Sequence, residues 1–348
     1  MQSEATPRLP HEHEAPAATE PLHTLSVVIP VYHGERTLEP LVGEIAPLMQ
    51  VQCTAGGRFF RVAEVILVHD GAIDNSAVVM ETLAARWAAV KLVWLARNFG
   101  QHPATLAGAA ATSSEWVVTL DEDGDQNPAD IGRFLDIALD SDSQLVYGLP
   151  TNTPPHGLVR NLLSAVTKRC LIRVFADATT AGQFHSFRLI RGEIARSLAA
   201  YCGCSVYLDV ALSWIVARRS HCPIVLRGSG GRPSGYNYRA LVSHFWRLVL
   251  TSGTKPLRCV TYLGLASIAL GLAFSTIAVW ARLTGNVPVP GWTSLAILQC
   301  FFSGGILFSL GIIAEYLGVT VSAAMGKPLF LVVSSPCRKQ NAKPCDRR

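Results

Sequence analysis

The stretch Trp116-Val117-Val118-Thr119-Leu120-Asp121-Glu122-Asp123-Gly124-Asp125 decides the fold. Five apolar or β-branched residues run without interruption into three acids, as in a strand buried on both faces that ends at a polar turn. Side chains alternate along a strand, so Asp121 and Asp123 point to the same side if the strand persists. Two carboxylates on one side suit a hard divalent cation, Mg²⁺ or Mn²⁺. Such a cation is commonly held by one or two carboxylates and fills its shell with water and phosphate oxygens, so a nucleotide diphosphate is the fitting ligand.

Working outward from that turn, similar runs recur at Leu25 to Val31, Val65 to Val68, Lys91 to Leu95 and Leu145 to Gly148. Helical patterns fall between them at Thr37 to Met49, Asn75 to Ala88, Pro103 to Thr112 and Pro128 to Ser141. Alternating strands and helices predict an α/β domain with a largely parallel sheet, and ligands bind such sheets at the loops after the strands. The strand at Val65 to Val68 leads into His69-Asp70-Gly71-Ala72-Ile73-Asp74-Asn75-Ser76. There Asp70 and Gly71 supply an acceptor and a permissive turn for a base or ribose, while Asp74 or Asn75 is placed to cap the next helix. The first strand is followed by Pro30-Val31-Tyr32-His33-Gly34-Glu35 rather than by a GxGxxG, which argues against a dinucleotide dehydrogenase.

The chain has 348 residues, 49% of them hydrophobic and only 16% charged, so a disordered protein is excluded and a membrane attachment is suggested. Residues 1–23 hold no apolar run and read as a flexible tail. Cys259 to Ala281 and Gly291 to Ala314 contain no charged residue, and each is long enough to cross a hydrocarbon core of ~30 Å. A short Pro/Gly loop separates them, which predicts a two-helix transmembrane hairpin. Lys255 and Arg258 precede it, Lys327, Arg338, Lys339, Lys343, Arg347 and Arg348 follow it, and Arg282 lies between. The positive-inside rule then places both termini in the cytoplasm. Leu241 to Leu250 mixes Phe245 and Trp246 with His244 and Arg247, as an interfacial helix would. The expected organisation is a tail at 1–23, a catalytic domain at 24–240, an interfacial amphipathic helix at 241–257, two transmembrane helices within 258–320 and a cytoplasmic tail at 321–348. A net charge of +5 is low for a protein that coats nucleic acid, and nine scattered cysteines without a CxxC pair indicate neither a disulfide framework nor a zinc ribbon.

Several segments, taken in order, resemble one family. They are SVVIPVYHGERTL (26–38), HDGAIDNS (69–76), ARNFGQHPATLAG (96–108), LDEDGDQNPADI (120–131), SFRLIRG (186–192), RPSGYNYRALV (232–242), TKPLRCVTYLG (254–264) and LFSLGIIAEYLG (307–318). The chain resembles the inverting, nucleotide-sugar-dependent glycosyltransferases of family 2, within them the membrane-anchored polyprenyl-phosphate glycosyltransferases. Dolichol-phosphate mannose synthase and the bacterial undecaprenyl-phosphate glucose and aminoarabinose transferases are of this kind. The resemblance implies a GT-A nucleotide-diphospho-sugar transferase fold, a nucleotide sugar donor, a polyprenyl phosphate acceptor and a bacterial-type inner membrane. Pro30, Tyr32, Glu35 and Asp70 would contact the nucleoside, and residues 97–102, beginning with Arg97, would form the floor beneath the donor. Asp121 and Asp123 would hold the diphosphate through Mg²⁺ or Mn²⁺, with Asp123 the direct ligand. Arg188, Arg227 and Arg232, with Ser234 and Tyr236, would meet the acceptor phosphate, because guanidinium forks match phosphate oxygens.

The chain departs from that pattern at His69, at His33-Gly34, at Asp125 and at Gln183-Phe184-His185-Ser186, which bears on donor preference and on a general base. Asp209 is the one nearby acid at a loop-to-helix junction, with helix capping as its other reading. A lipid monophosphate, with a second pKa of about 6, attacks without being deprotonated, so positioning and charge stabilisation suffice. A processive synthase would show QxxRW and further spans, and a non-catalytic scaffold would not need these acids and arginines. Association with further copies of the chain is left open.

Overall fold

The computed structural model describes residues 21–152, 184–203, 206–227, scattered positions between 260 and 284, and residues 291–335. Strand β1 (His23–Val31) forms the centre of the sheet, paired in parallel with β3 (Phe59–His69) on one side and with β5 (Trp116–Thr119) on the other. Strand β2 (Gln52–Cys53) pairs antiparallel to the start of β3, and β4 (Val90–Leu95) extends the parallel set beyond it. On the other flank, β7 (Arg188–Arg191) runs antiparallel between β5 and β6 (Leu145–Pro150), and β8 (Arg219–Ile224) lies parallel to β6. Strand β9 (Val332–Val333) closes the β4 edge, giving the order β8-β6-β7-β5-β1-β3-β4-β9.

The apolar runs are buried on both faces because helices cover both. Val27, Ile29, Val65, Leu67 and Val118 face one core, shared with α1 (Leu38–Ile45), α2 (Ser76–Arg86) and α4 (Ile131–Asp140). Val28, Ile66, Val68 and Val117 face the other, shared with α3 (Gln101–Ala110), α5 (Gly192–Tyr201) and α6 (Leu208–Ile215). Helix α3 lies close on the sheet, and a Cβ at Gly108 would stand 2.4 Å from Val28 and 2.8 Å from Val68. Its small residues therefore set the height of the loop at its own N-terminus above the strand ends.

The strands and helices predicted between Leu25 and Gly148 are present, with shifts at their ends that have local causes. Pro47 turns the end of the first predicted helix into a 3₁₀ segment, Ala46–Met49, and Pro128 opens the fourth with another, Pro128–Asp130. Strand β3 begins six residues before Val65 because Phe59 to Glu64 alternates in exposure on its way in from the β2 hairpin. The last helix differs most. Helix α7 (Trp292–Ala324) has 33 residues rather than ending at Ala314, and its stretch long and apolar enough to cross a membrane is Phe302–Ala324. Glu315 interrupts the apolar run but not the backbone ladder. Ser309, Thr320 and Ser322 meet their hydroxyl needs on carbonyls four residues back, so polarity does not end the helix. Of the first predicted span only scattered positions are described; among them 264–267 and 271–273 are helical. The interfacial segment 241–257 lies outside the described residues.

Candidate active site

The carboxyl ends of β1, β3, β4 and β5 gather four loops at one edge of the sheet, and hydrogen bonds between distant residues join them. Glu122, the middle acid of the turn after β5, accepts the amides of Tyr32 at 2.9 Å and His33 at 2.8 Å. Burial pushes its carboxyl up, and these two amides pull it back. The loop after β1 is thereby braced against the acidic turn. Across the same loop, Glu35 accepts from the Asn75 amide at 3.3 Å and side chain at 3.1 Å, and Asp74 accepts from the Glu35 amide at 3.2 Å. Glu35 is thus engaged in joining two loops, and Pro30 and Tyr32 are half-buried beside it.

Asp70 is buried, and its two oxygens accept the amides of Phe99 at 2.7 Å and Gly100 at 2.8 Å. Burial pushes its carboxyl up while those amides and the nearby Arg97 charge oppose the push. The contact needs a glycine next to it: Gly71 has φ +64°, and a Cβ there would lie 2.6 Å from the Asn98 nitrogen. Asp70 and the floor loop 97–102 are therefore one unit, with Arg97 exposed and its guanidinium 4.4 Å from the centre of the Phe99 ring.

Asp121 and Asp123 differ in their surroundings. Asp121 accepts from Gln101 at 2.6 Å, from Gln126 at 2.9 Å and from the Ser186 hydroxyl. Burial, reinforced by the Asp123 charge, pushes its carboxyl up to about 6 against the hydrogen bonds of Ser186 and Gln126 and the charge of Arg188. Asp123 is exposed; one oxygen accepts the Asp125 amide at 3.1 Å and the other accepts from no described residue. A tethered carboxylate beside one with a spare oxygen, the first with its charge disfavoured by the second, is an arrangement that a divalent cation relieves. Among the described residues no group of three or more His, Cys, Asp or Glu side chains could hold a metal, so phosphate oxygens and water would complete the shell.

The arginines are placed differently from one another. Arg188 is 3% exposed and ion-paired with Asp209, itself 4% exposed. Asp209 lies in the first turn of α6, where no side-chain cap is formed and Tyr207 holds the cap position. Arg227 lies beside the acidic turn: its amide donates to the Asp125 carbonyl at 2.8 Å, and its guanidinium reaches Glu44 at 2.7 Å and Asn127 at 2.7 Å. Arg232, Ser234 and Tyr236 lie outside the described residues. Glu122, Gln101, Gln126 and Ser186 carry much of the geometry; all four fall in segments the sequence singled out, but the hydrogen bonds they make to other segments have no signal in it.

Residues 26–198 match the family described as Glycosyl transferase family 2. Over 321 residues the chain is 26% identical to the undecaprenyl-phosphate 4-deoxy-4-formamido-L-arabinose transferase of Klebsiella pneumoniae strain 342, covering 90% of this chain and 93% of that protein. The protein of the same description from a second strain of that organism matches with the same identity and coverage. Among solved structures, glucosyl-3-phosphoglycerate synthase from Mycobacterium tuberculosis, in complex with Mn²⁺, uridine-diphosphate-glucose and phosphoglyceric acid, is similar at TM-score 0.49. Its identity is 18%, over 67% of this chain and 79% of that one. Residues 1–349 of S. aureus TarS, in complex with UDP-GlcNAc, are similar at TM-score 0.45 and 15% identity, over 66% of each chain. Residues 26–198 thus carry a glycosyltransferase family 2 domain on a mostly parallel sheet, and the chain is a glycosyltransferase.

Proposed function

We propose that the protein transfers a single sugar, with inversion, from a nucleotide diphosphate sugar to a polyprenyl phosphate such as undecaprenyl phosphate, at the cytoplasmic face of a membrane. The observation that carries this reading is the return of the chain after α7: Val332 and Val333 pair with Leu95 and Trp94, at the end of β4 that leads into the donor floor. Seven residues separate Ala324 from Val332, a reach of at most ~28 Å, so the edge bearing the acidic turn is tethered close to the end of an apolar helix. A site held there suits a lipid-borne acceptor. Similarity to undecaprenyl-phosphate transferases over 90% of the chain supports the same acceptor class.

In this reading the nucleoside lies against Pro30, Tyr32 and the Asp70 unit, with Arg97 on the floor beneath the donor. Asp123, with Asp121 behind it, would hold Mg²⁺ or Mn²⁺ on the donor diphosphate; the cation would supply charge neutralisation to the leaving nucleoside diphosphate. Arg227, Arg232, Ser234 and Tyr236 are the candidates for the acceptor phosphate, which needs no base because it is already largely ionised near neutral pH. The catalytic domain's task is then positioning and charge stabilisation. The test is purified protein in detergent with a panel of labelled nucleotide sugars, undecaprenyl phosphate and Mg²⁺ or Mn²⁺. Label is expected in a short, organic-extractable lipid. Label in a polymer, or none in any product with every donor, would overturn the reading.

A further inference from the structure

Arg188 and Asp209 form a buried cluster behind the acidic turn, and strand register builds it. Strand β7 is held between β5 and β6, which sets Arg188 opposite Thr119 on one side and Tyr147 on the other. The guanidinium donates through Nη1 to Asp209 Oδ1, and through Nε to Thr119 Oγ1 at 3.1 Å and to the Ser186 carbonyl at 3.3 Å. The Tyr147 hydroxyl donates to the same Asp209 oxygen at 3.1 Å. Arg188 is thus enclosed by its partners. To reach a phosphate it would have to leave a buried carboxylate unpaired, which is strongly unfavourable.

A chain of hydrogen bonds leads from this cluster to the acidic turn. Thr119 Oγ1 donates to the Ser186 carbonyl at 2.5 Å, the same oxygen that Arg188 contacts. The hydroxyl of Ser186 donates to Asp121 Oδ2. Gln126 clamps the join, donating to Ser186 Oγ at 2.8 Å and Asp121 Oδ2 at 2.9 Å while accepting the Asp121 amide at 3.0 Å. Ser186 is therefore the link, with its carbonyl on the ion pair and its hydroxyl on the carboxylate.

We propose that Arg188 and Asp209 are positioning residues: through Thr119 and Ser186 their ion pair aims the Asp121 carboxylate at the donor diphosphate site, and neither touches the acceptor phosphate. This rests on the reading of the acidic turn given above. Groups standing behind a metal-holding carboxylate typically alter metal affinity ten- to a hundredfold when removed.

The experiment uses the full chain in detergent, titrated with Mn²⁺ in the presence of UDP or GDP and followed by the electron paramagnetic resonance signal of free Mn²⁺. Asp209→Asn keeps the shape and removes the charge, Arg188→Lys keeps the charge and removes the fork, and Ser186→Ala removes only the link. Each is expected to weaken Mn²⁺ binding with nucleotide by roughly tenfold or more and to leave the acceptor KM within about twofold. The double variant Asp209→Asn with Ser186→Ala should bind no more weakly than Ser186→Ala alone, because both act along one path. Ser186→Ala leaves the buried pair intact, so it tests the link even if a variant of the pair fails to fold. Parental Mn²⁺ binding in Ser186→Ala, additive losses in the double variant, or a raised acceptor KM in Arg188→Lys with unchanged Mn²⁺ binding would each overturn the proposal. A parent chain that binds no Mn²⁺ with either nucleotide would overturn the reading of the acidic turn, and this proposal with it.

Discussion

The amide of Ala96 donates to the carbonyl of Leu331 at 2.9 Å, tying the residue just before the 97–102 loop to the segment that follows the apolar helix. Leu329 and Phe330 pack against the core on the α3 side and Val333 against the other, so β9 grips the edge of the sheet from both faces. This short strand couples two parts of the molecule that are more than 200 residues apart in sequence.

Deleting residues 329–348 should therefore affect the donor site without touching it. An uncovered β4 edge loses its ladder bonds and the burial of Leu329 and Phe330. The expected result is a melting temperature several degrees lower in detergent and a donor KM raised more than kcat is lowered. Unchanged donor KM would show that the floor loop keeps its shape without β9.

Removing the exposed acid of the turn should be far more severe. Asp123→Ala is expected to lower turnover by ~10²-fold or more, and EDTA should do the same to the parent chain, because charge accumulating on the leaving diphosphate would go unneutralised. Added Mg²⁺ or Mn²⁺ should restore the parent and not the variant. Full turnover in EDTA would show that the turn acts without a metal.

Stability at acid pH should track Glu64, which is 5% exposed at the opposite edge of the sheet. Burial pushes its carboxyl up, but hydrogen bonds from Lys91, Ser26 and Ser113 outweigh that and hold it at about 2, against an ordinary value of 4.5. The folded value lies below the unfolded one, so the contribution is complete above about 4.5 and is lost as pH falls towards about 2. Its size at neutral pH is roughly 3 kcal/mol at most. Melting curves of the parent and Glu64→Gln, taken from pH 7 to pH 3, should differ most at pH 7 and draw steadily together below pH ~4.5, with the gap closing fully only towards pH ~2. A gap independent of pH would mean that Glu64 acts through packing rather than charge.

The same short strand makes a prediction about membrane sidedness. Since β9 pairs with β4, a bilayer crossed by α7 would have the end of that helix and the sheet on one side. A reporter fused after Arg348 should be cytoplasmic, and a tag between Thr284 and Pro290 should be reachable from outside. An inaccessible loop tag with a cytoplasmic C-terminus would mean that the first apolar segment does not cross.

What sequence alone determined is what depends on neighbours along the chain. Apolar runs such as Val65 to Val68 and Trp116 to Leu120 announce strands, and the acids and glycine after them announce the functional edge. Asp70, Asp121 and Asp123 were legible as site candidates because their chemistry is written in their own segments. Two apolar segments with basic flanks were enough to suggest a membrane attachment. Tertiary structure alone decided what depends on partners far along the chain. Glu122 is in sequence merely the residue between two aspartates, and its two amide partners lie about 90 residues earlier. Arg188 reads as a phosphate ligand through the family resemblance and the fit of a guanidinium fork to phosphate; its place between Thr119, Asp209 and the Ser186 carbonyl depends on the antiparallel insertion of β7. The extension of α7 past Glu315 and the return of Val332 to the sheet escaped a reading by hydropathy for a related reason. Backbone hydrogen bonds ignore side-chain polarity, and a two-residue edge strand has too few residues for any periodicity to show.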